Sequence, residues 1–181
     1  MISVEMRVIQ PEASVMKKKC NLWEKQLITN NPHINNQAIS FHYDKGLDPE
    51  LRRKYMLFAT WLRKNYCFPV RVHVYILNTE KVRLLKGTLV YGSFRWFQKR
   101  SPRIKVPSKV EEELLTDYSL NEIHNMIMSS LVHELTHYFQ WASGLEQSNA
   151  TSERQAHYYR YRILDQFCED LPKDLKEMFE F

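Results

Sequence analysis

The sequence is poor in glycine and cysteine, and both shortages limit what the chain can be. It has 4 Gly among 181 residues, too few for a loop-rich or low-complexity chain. Its three cysteines, Cys20, Cys67 and Cys168, are odd in number, widely spaced and without a Cys-x-x-Cys motif. This pattern is typical of free thiols in a reducing cytoplasm and not of a disulfide framework.

Long apolar runs and a leader pattern are also missing. No apolar stretch approaches the roughly 18 residues that a transmembrane helix needs. Residues 1–6 carry no basic segment followed by an apolar one, as a secretory signal peptide would. We therefore expect a cytoplasmic protein with no membrane partner.

Charge of one sign does not dominate the chain. The net charge is +5, which is compatible with a nucleic-acid partner without indicating one. The basic residues are scattered, and the tightest cluster, residues 17–19, is more typical of a solvated helix face than of a nucleic-acid contact. The charge gives only weak support to a nucleic-acid partner.

The composition is that of a folded globular protein. Hydrophobic residues make up 44% of the chain and aromatic residues 13%, enough for a sizeable core. The length predicts one domain over residues 1–181, in which residues 1–45 are a candidate N-terminal extension that could cover a cleft.

Hydrophobic periodicity predicts the elements of the first two thirds of the chain. Residues 12–28 have helical spacing, and Asp48-Pro49-Glu50 has the composition of a helix start. The period then changes to two, which predicts three strands, the last two paired as a hairpin: 70–77, 88–97 and 103–106. Gly92 inside the second strand indicates a bulge or a close backbone approach.

A long helix follows, and its start is well marked. Ser119 and Glu122 have the spacing of a capping box, and Gly144 is a natural C-terminal stop. Its apolar residues recur at helical spacing and predict a core-facing stripe: Ile123, Ile127, Leu131, Leu135 and either Tyr138 or Phe139. A further helix is predicted over residues 152–168, and a last short helix after Pro172.

The long helix contains His133-Glu134-Leu135-Thr136-His137, an H-E-x-x-H motif. Residues four apart lie on one face of a helix, so the two imidazoles can bind one Zn²⁺. Glu134 lies beside such a metal, where a carboxylate can act as general base toward a metal-bound water. The uncharged flanks of the motif are those of a buried helix. The alternative is an amphipathic helix with two incidental histidines.

A catalytic zinc site needs a third protein ligand, and Glu153 is the best candidate. It follows His137 by 16 positions, in the first turn of the next predicted helix, after a reversal at Gly144. Alternatively, Glu153 only offsets the helix dipole. His157 lies one turn further on and is either the third ligand, a donor to the transition state, or a packed histidine. Neighbouring Tyr and Arg side chains, residues 158–161, are further candidate oxyanion donors or core residues.

The motif of residues 133–137, followed at short range by Glu153-Arg154-Gln155-Ala156, resembles the glutamate-ligand zincin metallopeptidases, or gluzincins. It is similar to their minimal members and to the small intracellular ImmA/IrrE peptidases that cleave phage repressors. The resemblance covers residues 119–165. It implies an α+β, zincin-like fold, with a small twisted sheet on the H-E-x-x-H helix and a second helix carrying Glu153. It also implies that a rim strand, 88–97 or its partner, binds an extended substrate.

The sequence departs from that pattern in two ways. The ImmA/IrrE peptidases usually continue after Glu-x-x-Ala with an Asn and small residues, where this chain has His157, Tyr158 and Tyr159. The larger gluzincins often place an Asp four residues after the ligand Glu, where it supports the first His. In this chain the position is His157, so the residue that orients the metal-binding imidazoles is not assigned.

Three hypotheses for the function follow. The first is a zinc-dependent metallopeptidase that hydrolyses peptide bonds in a protein or peptide substrate, with Glu134 as general base and His133, His137 and Glu153 as ligands. The second is a catalytically weak zincin-fold regulatory protein, associated with nucleic acid or a protein partner. The third is a stable fold with structural histidines and no metal.

Overall fold

The computed structural model describes residues 21–30 and 39–179. Helices and strands alternate in the first part, and helices dominate the last third. The strands are β1 (Ile39–Tyr43), β2 (Val72–Leu77), β3 (Val82–Arg83), β4 (Leu89–Val90), β5 (Ser93–Arg95) and β6 (Arg103–Pro107). The helices are α1 (Pro49–Asn65), α2 (Leu114–Asp117), α3 (Leu120–Ala142), α4 (Asn149–Asp170) and α5 (Lys173–Lys176).

The main sheet is mixed and has the strand order β1-β2-β6-β5. β1 is parallel to β2, and β2 is parallel to β6, whereas β5 runs antiparallel to β6 at one edge of the sheet. A second, two-stranded sheet pairs β3 with β4. This mixed architecture agrees with the α+β class predicted from the sequence.

Two strand predictions need correction. The predicted strand 88–97 is two short strands, because the chain leaves β4 at Val90, turns through Tyr91-Gly92 and joins a different sheet at Ser93. The hairpin with residues 103–106 is therefore confirmed only for β5. The strand predicted at 70–77 begins at Val72, and Val70 is 39% exposed because the inward face starts at Val72.

Strand β1 was missed, although Ile39-Ser40-Phe41-His42-Tyr43 alternates between β-forming and polar residues. The run is only 5 residues long, and it lies between segments rich in turn-forming residues. Within the candidate N-terminal extension, β1 is an integral strand of the main sheet. Residues 1–20 and 31–38 of that extension lie outside the described residues.

The helix predicted over residues 12–28 is wrong for its described part. Residues 24–26 and 28–30 form two short 3₁₀ turns instead. Trp23 is 1% exposed, and its indole N–H donates to Oγ1 of Thr136 at 3.0 Å. Leu27 forms a β-bridge with Tyr66 just after α1. The bridge, and donation from the Cys67 backbone N–H to the Gln26 backbone oxygen at 2.7 Å, give this segment backbone partners that a continuous helix would otherwise supply.

The predicted starts of α1 and α3 are confirmed, whereas α4 begins at Asn149, before its predicted start at residue 152. Asp48 caps α1 by accepting a hydrogen bond from the backbone N–H of Leu51 at 2.8 Å. Ser119 and Glu122 form the predicted capping box of α3. The predicted stripe of α3 is buried in the core, and both Tyr138 and Phe139 belong to it. No helix among residues 21–30 and 39–179 is long and apolar enough to span a membrane.

Candidate metal centre

His133 and His137 lie one turn apart on α3, and Glu153 faces them from α4. The two imidazole Nε2 atoms are 3.1 Å apart. Glu153 is 3.2 Å from His133 Nε2 through Oε2 and 3.3 Å from His137 Nε2 through Oε1. The structure thus brings together the three residues that the sequence singled out as ligands, and they could hold a metal ion.

The separations of these atoms fit a zinc ion. With bonds of 2.0–2.1 Å, two ligands of a tetrahedral zinc are about 3.3–3.4 Å apart. The observed spacings of 3.1–3.3 Å are close to that edge length. A bound cation would also stabilise the two imidazole nitrogens and the Glu153 carboxylate, which lie close together here.

The turn between α3 and α4 places Glu153. Gly144 has φ +61°, a left-handed conformation that ends α3 and lets the chain reverse. Ser148 then caps α4 by accepting from the backbone N–H of Thr151 at 3.3 Å. Ala156, one turn after Glu153, is fully buried as α4 packs on α3. Its small side chain permits the close approach that the ligand set requires.

Gln140 and Ser152 orient the second imidazole, and sequence reasoning missed both. His137 Nδ1 lies 2.8 Å from Gln140 Oε1 and 3.2 Å from Ser152 Oγ. Donation from Nδ1–H to the Gln140 carbonyl leaves Nε2 free to face the metal. Gln140 is itself fixed, because its Nε2 donates to the backbone oxygen of Ser152 at 3.0 Å and to Gln155 Oε1 at 2.9 Å. The spacing of Gln140, three residues after His137, was the available signal.

Glu134 is buried beside the ligands and is 8% exposed. Burial, with a smaller contribution from Glu153, raises its pKa to about 8, although the backbone N–H of Phe94 donates to the carboxylate and opposes that shift. The side chain packs under β5, where a Cβ atom at Gly92 would stand 2.5 Å from Oε1 of Glu134. Of the two roles predicted for Gly92, the structure shows the close backbone approach.

The environment keeps His133 neutral. Burial, followed by the adjacent His137, lowers its pKa to about 4, against the opposing effect of Glu153. His157 and Arg160 contribute in the same direction as burial. A neutral imidazole is the form that binds a metal, so no proton has to be displaced from His133 at neutral pH.

His157 lies next to the ligand set but outside it. Its ring centroid is 5.1 Å from that of His133, in an edge-to-face arrangement. Potential ligand atoms of His133, His137 and Glu153 all lie within 4.8 Å of one another, and His157 does not belong to this group. His157 and Arg160 line the cleft on the same side, and Arg160 is held by Ser129, whose Oγ accepts from its Nε at 2.7 Å. Tyr159 is buried, with its hydroxyl bonded to Asn21 and Leu22.

A cleft opens on both sides of the candidate centre. On one side is a cavity of about 480 Å³ with an apolar wall that includes Val110, Leu114 and Met126. On the other side is a cavity of about 720 Å³ bordered by β5, Trp96 and Trp141. Both cavities include His133, Glu134 and Glu153 in their lining. The candidate centre therefore borders both cavities.

Relatives of the chain were sought at the level of family, sequence and structure. Comparisons with protein-family models, curated proteins and solved structures found no match. The family resemblance of residues 119–165 stays a prediction from the motif, and the chemistry of the centre rests on its own geometry.

Proposed function

We propose that the protein is a zinc-dependent metallopeptidase with a zincin-like fold. One observation carries the proposal: the two imidazole Nε2 atoms lie 3.1 Å apart, each lies within 3.3 Å of a Glu153 carboxylate oxygen, and a buried carboxylate, Glu134, lies beside them. Two imidazoles and one carboxylate form a ligand set that catalytic zinc sites use, with a fourth position left for water or substrate. His133, His137 and Glu153 would hold the ion. When bound, zinc would polarise a peptide carbonyl and lower the pKa of a coordinated water.

Glu134 is the proposed general base. In the metal-free protein, its raised pKa means that the carboxyl group gains and loses a proton near neutral pH. The Phe94 N–H and the Gly92 backbone hold the carboxyl group in one place. It would accept a proton from the attacking water and deliver it to the leaving amine. His157 and Arg160, on the same wall of the cleft, are the proposed donors to the developing oxyanion.

An extended peptide fits the shape of the groove better than a compact ligand does. The two cavities lie on opposite sides of the centre, so side chains before and after the cleaved bond have separate spaces. Strand β5 forms the edge of the main sheet next to this groove. We propose that the substrate adds to that edge as a further strand.

Metal content and hydrolysis test the proposal together. Elemental analysis of protein purified without a histidine tag is expected to give about one zinc per chain for wild type and much less for Glu153→Ala. Glu134→Gln is expected to keep its zinc and to lose hydrolysis of an unstructured protein such as casein. Glu146→Gln is the matched control, since Glu146 is an exposed carboxylate between α3 and α4.

Two results would overturn the proposal. Absence of zinc in wild type after reconstitution would remove the metal centre. Full hydrolytic activity in Glu134→Gln would remove the mechanism even if zinc binds. Zinc retained in Glu153→Ala would move the third ligand to another residue, for which His157 is the candidate.

A further inference from the structure

The face of the main sheet that points away from the helices carries two rows of polar and aromatic side chains. Residues directly opposite each other on neighbouring strands share a face. One row runs Ser40, His73, Arg103, Arg95, and the other runs His42, Tyr75, Lys105, Ser93. The alternate residues Val72, Val74, Ile76, Ile104 and Val106 are buried on the opposite side. We call these two rows the outer face.

Positive charge accumulates at the β5–β6 end of the outer face. Arg95 and Arg103 are direct cross-strand partners, and like charges in that position are destabilising. Arg83 and Lys105 join them around a small cavity of about 80 Å³. Within the part of the chain that the structure describes, none of these four cations has a carboxylate oxygen within 4.0 Å. Arg103 contacts the ring of Phe97, with its Cζ 5.7 Å from the ring centroid. A bound anion would relieve the repulsion that remains between the cations.

The cavity is small, about 80 Å³, and all four cations are among the residues that line it. Such a lining suits a single oxyanion, for example one phosphate group. Arginine side chains bind phosphate through two parallel N–H donors, which a carboxylate-free arginine pair leaves available. The ligand of this end of the face is therefore expected to be a phosphate that belongs to a larger molecule.

Aromatic rings occupy the other end of the outer face. The exposed His42 ring stacks on Tyr75, with centroids 4.7 Å apart and an interplanar angle of 15°. Nδ1 of His73 lies 3.2 Å from Nε2 of His42 and 2.7 Å from Oγ of Ser40. Tyr75 on β2 is the direct cross-strand partner of Lys105 on β6, and neighbouring strands lie about 5 Å apart. The stacking surface on β1 and β2 therefore adjoins the cations on β6 and β5 across one strand boundary.

We propose that the outer face binds single-stranded nucleic acid, with phosphates at Arg83, Arg95, Arg103 and Lys105 and bases on the His42–Tyr75 pair. A flat sheet that combines aromatic rings with cations is a common surface for unpaired bases. A duplex would meet only the cations, because its bases are already stacked. The contacts proposed here use none of the candidate metal ligands, although Ser93 and Arg95 line both this cavity and the larger cavity of the cleft.

Fluorescence anisotropy of a labelled 20-nucleotide oligothymidylate tests the proposal on the full chain, both zinc-loaded and chelated. Binding is expected at 50 mM NaCl and is expected to weaken steeply by 200 mM. The double variant Arg103→Gln with Lys105→Gln is expected to bind at least tenfold more weakly. Its log–log salt slope should be smaller by about 1.4, or about 0.7 for each lost phosphate contact. Tyr75→Leu should weaken binding about fivefold or more without changing the slope.

Arg53→Gln with Lys64→Gln is the matched control, because it removes two exposed cations from α1. No binding of the oligonucleotide at 50 mM NaCl would overturn the proposal. Equal weakening by the two double variants would also overturn it, since the binding would then reflect total charge. Binding to a duplex or to phosphatidylserine vesicles that matches the single strand, with no effect of Tyr75→Leu, would reassign the face to anions in general.

Discussion

Gly92 and Glu134 are in direct contact across the cleft wall, and the contact leaves no room for a side chain on Gly92. A Cβ atom there would stand 2.5 Å from Oε1 and 2.9 Å from Cγ of Glu134. A Cβ atom essentially never comes this close to an atom to which it is not bonded, so any larger residue must push the carboxyl group aside. The backbone at Gly92 is not in the left-handed region, so its requirement for glycine is steric.

Gly92→Ala is therefore expected to impair hydrolysis while keeping the metal. A displacement of the base by about 1 Å can reduce turnover by about 100-fold. We expect a loss of that order in kcat/KM on a protein substrate, with zinc content unchanged in elemental analysis.

Gly87→Ala is the contrasting control. Gly87 has φ +85°, so alanine there is strained, but no atom lies within 4 Å of its Cβ position. We expect it to lower the melting temperature with little effect on the activity of the folded protein. Wild-type activity in Gly92→Ala would contradict the role given to Glu134.

Gln140→Ala is expected to weaken zinc binding. The Gln140 side-chain oxygen lies 2.8 Å from Nδ1 of His137 and holds the ring in the tautomer that binds metal. Loss of such a partner typically reduces metal affinity by about 10–100-fold. Competition with a chromophoric zinc chelator would measure the change. The exposed Gln98→Ala should leave affinity unchanged; equal affinity in Gln140→Ala would show that Ser152 alone suffices to orient His137.

The metal-free protein is expected to lose stability as the pH rises toward 8. The pKa of Glu134 is near 4.5 when unfolded and about 8 when folded, so the folded state holds the extra proton. Its contribution to stability is complete below about pH 4.5 and disappears as the pH rises through 8. The pKa of His133 is lowered to about 4 in the folded state. The stability that its neutral imidazole contributes is therefore complete above about pH 6.5 and is lost as the pH falls through 4. Above pH 6.5 only the effect of the carboxyl group remains.

Urea unfolding of chelated protein between pH 6.5 and 8 isolates the Glu134 effect. The free energy of unfolding of wild type should fall by up to about 1.4 kcal/mol per pH unit, the limit for one proton. Glu134→Gln cannot ionise and should show a flatter profile. Parallel profiles of the two proteins would mean that Glu134 is already ionised in the folded apo state.

Local patterns in the sequence were enough to locate most of the fold and the three candidate ligands. Asp48, Ser119 and Gly144 mark helix ends through their own side chains or backbone, so neighbouring residues suffice to predict them. Positions whose residue type depends on contacts with distant parts of the chain were harder to predict. Position 92 requires glycine because of its contact with Glu134. The neighbouring residues in the sequence are equally compatible with a bulge.

The errors in the prediction have the same origin. Residues 21–30 have helical spacing, but Trp23 and Leu27 are held by residues far along the chain, Thr136 and Tyr66. The division of 88–97 into two strands depends on which partner strand each half meets. The role of Gln140 depends on the position of Ser152, which is fixed only once α4 has packed on α3.

Trp23 and Thr136 offer a test of whether the segment 21–30 is part of the stable core. The indole N–H donates to Oγ1 of Thr136 at 3.0 Å, and the ring lies edge-on to Tyr66 and Phe139. Thr136→Val keeps the shape of the side chain but leaves a buried N–H without its acceptor. We expect it to lower the free energy of unfolding by about 1–3 kcal/mol, measured by urea denaturation.

Trp23→Phe removes the donor, so Thr136→Val should cost less in that background than in wild type. A thermodynamic cycle with both single variants and the double variant isolates this coupling from the loss of aromatic packing. Thr136 also donates to the backbone oxygen of Val132 at 2.9 Å, and the cycle cancels that contribution because it is lost in both backgrounds. Zero coupling would mean that the indole does not need Thr136 and that other contacts hold segment 21–30 on α3, among them the hydrogen bond from Gln26 Nε2 to Ser143 Oγ at 3.4 Å.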